Sequence, residues 1–288
     1  MIKTIDTFKD FKACFEDNLN ISVGEKIDLW DKLYIHKYPE LEEKCKSDYE
    51  SDGYSWREIA SSMVFNRTKD DFNKMLEAYT NIKNSIQEIN NAVKQVFNIE
   101  PNLYIVLYCG LCNSAGWVDT YNHKRAILYG IDKIAELNWH TIEKVKPLIA
   151  HELCHVIHFE IRGEDKLTDI DMNNYSNGIW RIYEEGFAQY YQQKLIGDVA
   201  DSRGIEWLKS CIVNKSTLKA LYLEALHNKS EGTKHFFGDW FKVMNISDTG
   251  YFLGTELIKE LNEILSMEQI AKLNFNDIEN AVIQFLKK

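Results

Sequence analysis

Residues 148–160, LIAHELCHVIHFE, set three of the chain's eight histidines in an otherwise apolar run. Leu148, Ile149, Ala150, Leu153, Val156 and Ile157 would cover nearly every side of a helix, so a helix here belongs inside the protein. Imidazoles and carboxylates cost free energy when they leave water unpaired. A fold that buries this segment must therefore give His151, Glu152 and His155 a partner. On a helix, His151 and His155 lie one turn apart on the same face, with Glu152 beside them. That geometry suits a zinc ion held by the two imidazoles, with Glu152 as the base toward an attacking water.

Two histidines do not complete a zinc site, because a catalytic zinc usually takes three protein ligands and keeps one position open. A third histidine at the metzincin spacing would fall at position 161, which is Ile161, and the glycine of that pattern is replaced by His158. His158 is expected to be a polar residue near the helix end. Downstream, NGIWRIYEEGFAQYYQQKL (177–195) reads as a second helix carrying adjacent carboxylates, Glu184 and Glu185. Gly186 follows them, and a glycine inside a helix costs about 1 kcal/mol relative to alanine. Close approach to the first helix, beside the metal, is the packing reason expected for it.

HELCH followed by EEGFAQY resembles the gluzincin zinc peptidases, the thermolysin and aminopeptidase N group. Small, uncharacterised bacterial proteins predicted to be zinc-dependent proteases are similar in size and layout. In the aminopeptidases an NEGFA-like segment supplies a glutamate ligand immediately before the glycine. The resemblance therefore implies Glu185 as third ligand, with Glu184 a solvated neighbour paired with Arg181. It covers about 45 residues. The interval from His155 to Glu185 is longer than in either named family and is filled by RGEDKLTDIDMNNYSNG (162–178), and no GAMEN-like segment is present. The resemblance thus supports the clan more than aminopeptidase activity. Gluzincins also recruit a tyrosine or histidine from the helical lobe to stabilise the oxyanion. Tyr251 in SDTGYFLG, at a helix start, and His235 in KHFFGDW are the candidates, and a plain core role is open to both.

The activity implied is hydrolysis of a peptide or protein substrate. Two other readings stand beside it. One is a non-catalytic binding protein stabilised by zinc, against which Glu152 argues, since a structural site needs no base. The other is a deformylase-like amidase whose metal takes a cysteine ligand, Cys109 or Cys112 of CGLC. That pair does not open a helix as a thioredoxin-like motif should, and two thiols at a strand end is its simpler role.

The 288 residues, with 45% hydrophobic composition and three prolines, can bury a sizeable core. A net charge of −10 without a basic stripe excludes nucleic acid as the main partner. MIKTIDTFKDFKACF has no apolar run, no stretch is long enough to span a membrane, and six cysteines fit a reducing compartment, so the cytoplasm is expected. Residues 5–100 read as mostly helical, NLYIVLYCG (102–110) as a strand, and GWVDTY with KRAILYGI as a hairpin. The metal helix spans 138–159, with Pro147 either in its first turn or kinking it. Four further helices follow beyond residue 200, and Ser266 with Gln269 forms a capping box for the penultimate one. The fold class expected is α+β, mostly helical: a small antiparallel sheet packed on the metal-binding helix plus a C-terminal helical lobe, zincin-like. The expectation is one domain, 1–288, in two lobes, 1–135 and 136–288, with the cleft between them. RAILYGI is the candidate edge strand along which an extended peptide would dock, and a plain core strand is equally open to it.

Overall fold

A computed structural model describes residues 2–163, 174–197 and 201–288. The chain divides into two compact units, Met1–Glu152 and Leu153–Lys288.

The first unit runs β1 (Lys3–Asp6), α1 (Phe8–Phe15), α2 (Val23–Asp28), α3 (Pro39–Ser51), α4 (Trp56–Ile59), α5 (Thr68–Phe97), β2 (Tyr104–Tyr108), β3 (Trp117–Tyr121), β4 (Lys124–Gly130) and α6 (Ile131–Glu136), and ends within α7 (Ile142–Arg162). α2 and α4 each continue as π-helical turns, Leu29–Tyr34 and Ala60–Val64. The 30-residue α5 follows from its 3.6-residue apolar spacing and stops at Asn98, which adopts the left-handed conformation of a helix C-terminus. Phe8, Phe11 and Phe15 repeat on one face of α1 and are fully buried, with Phe11 and Phe15 stacked at 4.3 Å.

The sheet has the order β1-β2-β4-β3 and is mixed rather than antiparallel: β1, β2 and β4 are parallel, and only β3 is antiparallel to β4. β1 overlaps the start of the segment 5–100 read from sequence as mostly helical. Its pairing, Lys3 to Tyr104, joins residues about a hundred positions apart. The β3–β4 hairpin is the one expected, turning through Asn122 and His123, both at positive φ (49° and 58°) as a two-residue turn of type I′ requires. β4, expected at the edge, is internal, with β2 on one side and β3 on the other, and Ala126 to Gly130 are buried. The edge strands are β1 and β3.

α7 contains Pro147 as an interior residue and extends to Arg162. The second unit continues with α8 (Asn174–Ile196), α9 (Ile205–Val213), α10 (Lys215–Leu226), α11 (Thr249–Leu261), α12 (Met267–Ala271) and α13 (Phe275–Lys287). The capping box is present: Ser266 Oγ accepts from the Gln269 amide and Gln269 Oε1 from the Ser266 amide. α8 begins at Asn174, and residues 164–173 of the polar interval lie outside the described residues.

α8 and α11 cross with their backbones in close contact. A Cβ on Gly186 would stand 2.3 Å from the Gly254 carbonyl oxygen, and one on Gly254 would stand 2.3 Å from that of Ile182. Gly186 is thus required by the crossing with α11, not by approach to α7 as the sequence suggested. No helix among the described residues is long and apolar enough to cross a membrane.

Candidate metal centre

α7 is buried as its composition demands. Leu153, Cys154 and Val156 have no exposed surface, and the polar residues among them are nearly as enclosed, with His151 and His155 8% exposed and Glu152 5%. Glu185 of α8 is half-buried, and one ligand atom each from His151, His155 and Glu185 lie within 4.8 Å of one another. Among the described residues this is the group of three or more His, Cys, Asp or Glu side chains that can hold a metal ion. His155 Nε2 is 3.3 Å from Glu185 Oε2. A charge-assisted hydrogen bond is shorter, about 2.7–2.9 Å. Two donors each about 2.0–2.2 Å from a tetrahedral ion stand about 3.3–3.6 Å apart. The separation fits two ligands of one ion, and two imidazoles with a carboxylate form a donor set that leaves one position open.

Adjacent residues on α8 diverge by about 100° around the axis, so Glu184 does not join this group. It is not simply solvated either. Burial raises its carboxyl above the usual range, the neighbouring Glu185 adds to this, and His155 and a hydrogen bond from Trp180 oppose it. The positive charge of Arg181, the partner expected for Glu184, also opposes the rise, and its guanidinium lies 4.4 Å from the Phe237 ring centroid.

The Glu152 carboxylate abuts the chain just before β3, where a Cβ on Gly116 would stand 2.8 Å from Oε1. Tyr129 of β4 is fully buried, and its phenol is raised well above the usual tyrosine range by burial first and by the charge of Glu152 second.

Tyr251 occupies the first turn of α11, one turn ahead of Gly254, as Glu185 directly precedes Gly186. The crossing of the two glycines therefore brings tyrosine and glutamate near each other. Burial holds the Tyr251 phenol well above its ordinary pKa, and the negative charges of Glu185 and Asp248 act in the same direction, so it is a neutral O–H donor at pH 7. The Arg203 guanidinium lies 4.1 Å from its ring centroid and the Phe237 ring meets it edge-on at 5.5 Å. His235, the other candidate, is exposed, stands 3.7 Å from Glu231 and packs on Phe241.

His158 stands near the end of α7, as expected, but is enclosed there. It has no exposed surface, stacks on Phe187 at 4.3 Å and places Nε2 3.2 Å from the Tyr183 hydroxyl. Burial, with the charges of Arg162 and His155, pushes its pKa well below the usual histidine value.

Cys109 and Cys112 are buried free thiols and do not belong to the metal-holding group. CGLC forms a tight loop after β2. The amides of Gly110 and Cys112 donate to the two oxygens of buried Asp132, at 3.1 and 2.8 Å, and Cys112 sits at φ 55°. Burial raises both thiols well above their ordinary range, so neither is a thiolate at neutral pH.

Gly116, Gly254 and Arg203 were not singled out by the sequence, and nothing local marks them. Comparison of the chain with known family models, with curated proteins and with solved structures finds no match.

Proposed function

We propose that the chain is a zinc-dependent peptidase of gluzincin type, hydrolysing peptide bonds with Glu152 as general base. The observation that carries this reading is the convergence of His151, His155 and Glu185 on a volume fit for one ion, with Glu152 next to His151 on the same buried helix. A zinc ion at such a site supplies a Lewis acid that brings the pKa of water toward neutrality and polarises a carbonyl.

The protein residues divide the remaining work. Glu152 accepts the proton of the attacking water and returns it to the leaving amine. Its enclosure against Gly116 limits the positions that the carboxylate can take. The neutral phenol of Tyr251 donates toward the developing oxyanion. An extended substrate adds to the outer edge of β3, the outermost strand on that side among the described residues, which starts one residue after Gly116 and so beside the base. A cysteine-ligated amidase has less support, because neither CGLC thiol belongs to the metal-holding group and the amides of that loop are committed to Asp132.

Paired substitutions test the reading. Glu152→Gln should retain one zinc per chain and the wild-type fold while turnover of a quenched fluorescent peptide falls by about 10²–10⁴. Glu185→Ala should lose the zinc, measured by atomic emission after dialysis, and Glu184→Ala should keep it. Zinc retained by Glu185→Ala, or full turnover by Glu152→Gln, would overturn the proposal.

A further inference from the structure

Beside Tyr251 lies a buried cation that the proposed chemistry does not use. The Arg203 side chain is 12% exposed and is held from two sides. Its Nη1 is 3.2 and 3.1 Å from the two oxygens of Asp201, and its Nε is 3.3 Å from Asp248 Oδ2. The aspartates are themselves fixed: Gln189 Nε2 donates to Asp201 at 2.5 Å, and the Gly238 amide donates to Asp248 at 2.9 Å. Asp248 occupies the N-cap position of α11, where an aspartate ordinarily accepts from its own helix. Here its side chain makes no cap bond, its backbone is left-handed at φ 59°, and its carboxylate serves Arg203 and Gly238 instead. The guanidinium carbon so held lies over the Tyr251 ring at 4.1 Å from its centroid and over the Trp207 ring at 4.9 Å.

We propose that Arg203 is the positioning residue of Tyr251: the two aspartates hold the guanidinium as a rigid plate, and stacking on that plate fixes the orientation of the phenol. The proposal rests on the reading of Tyr251 as oxyanion donor. An arginine suits this task because its planar fork can bind carboxylates along its edge while its face stacks on a ring. A lysine would keep the charge and lose both the fork and the plane. A bulky aliphatic residue would fill space without orienting anything. The aspartates leave the cluster at one positive and two negative charges, so the arginine is committed to them and not held in reserve for an anionic ligand.

Arg203→Lys supplies the test, with Asp201→Asn as a second variant that loosens the clamp from the other side. Protein labelled with 3-fluorotyrosine gives a ¹⁹F line for Tyr251, assigned by its loss in Tyr251→Phe. In metal-free protein, Arg203→Lys should broaden or split that line as the ring samples both flipped orientations. With zinc bound, it should lower kcat about tenfold with KM within about twofold, the pattern of an interaction made only in the transition state. In the Tyr251→Phe background it should lower kcat no further. An unaltered Tyr251 line in both variants, or an equal loss of rate in the two backgrounds, would overturn the proposal while leaving the role of Tyr251 intact. Wild-type turnover in Tyr251→Phe would instead remove the donor role, and the positioning role with it.

Discussion

Gly254→Ala is the substitution by which the α8–α11 crossing can be weighed. The added Cβ would stand 2.3 Å from the Ile182 carbonyl oxygen and 2.7 Å from Gly186 Cα. Ordinary contact needs about 1 Å more, and because both obstacles are backbone, no rotamer change relieves them. Overpacking of this kind costs about 1–3 kcal/mol. Against it stands the helix propensity gained on replacing glycine by alanine, about 1 kcal/mol. The upper end of the range is appropriate for two rigid backbones, leaving a net loss of about 2 kcal/mol. At about 2–4 °C per kcal/mol for a chain of this size, the melting temperature should fall by about 4–8 °C. Gly24→Ala is the control, since its Cβ meets nothing within 4 Å, and it should melt at or slightly above the wild type. Displacing α11 by about 1 Å also carries Tyr251 away from Glu185, and misplacement on that scale can cost about 10²-fold in rate. The three metal-holding residues lie on α7 and α8, so zinc content should stay at one per chain. A melting temperature for Gly254→Ala at or above that of the wild type would refute the crossing as the element that sets Tyr251 against Glu185.

Two other substitutions address neighbouring parts of the site. Gly116→Ala places a Cβ 2.8 Å from Glu152 Oε1; the obstacle is a side-chain end that can move, so the melting temperature should stay within about 2 °C and zinc should be retained while turnover drops at least about tenfold, and unchanged turnover would show that the position of Glu152 is not critical. His158, whose pKa the fold depresses, contributes stability that is present above the unfolded value of about 6.5 and is lost as pH falls below it, by up to about 1.4 kcal/mol per pH unit. His158→Gln cannot take up that proton, so in metal-free protein its urea midpoint should fall less between pH 7 and pH 5 than the wild type's, and parallel profiles would rule out a buried neutral imidazole.

What could be read in the fold was what local chemistry dictates. The 3.6-residue spacing of α5, the Ser266–Gln269 capping box and the β3–β4 hairpin each depend on residues close in sequence, and each is present. β1 was missed because parallel pairing of Lys3 with Tyr104 leaves no turn between the partners to mark it. The burial of β4 was legible in the sequence, whereas its place between β2 and β3 was not. AILYG does not alternate between apolar and polar residues, and an unbroken apolar run is the mark of a strand covered on both faces. A strand covered on both faces can still lie at the edge of a sheet, and proximity in sequence to His151 suggested the edge, where the sheet instead places β3.

The candidate site divides along the same line. His151, Glu152 and His155 belong to one helix, so helical periodicity alone relates them. Glu185 was reached by resemblance, and its separation from Glu184 follows from the turn between adjacent helical positions. Tyr251 could be nominated from a helix start, but its relation to Glu185 could not, because that depends on two helices meeting through Gly186 and Gly254. Gly186 did announce a close approach, since its cost within a helix needs a reason. It did not say which helix approaches, and the partner, Gly254, sits in an ordinary amphipathic pattern. Arg203 was harder still: a lone arginine near two aspartates in sequence is commonly a solvated loop residue, and only the return of Asp248 at the head of α11 encloses it. The residues that would hold a metal are therefore written in helical spacing, whereas those that orient the donor beside it are fixed by the packing of α8 against α11.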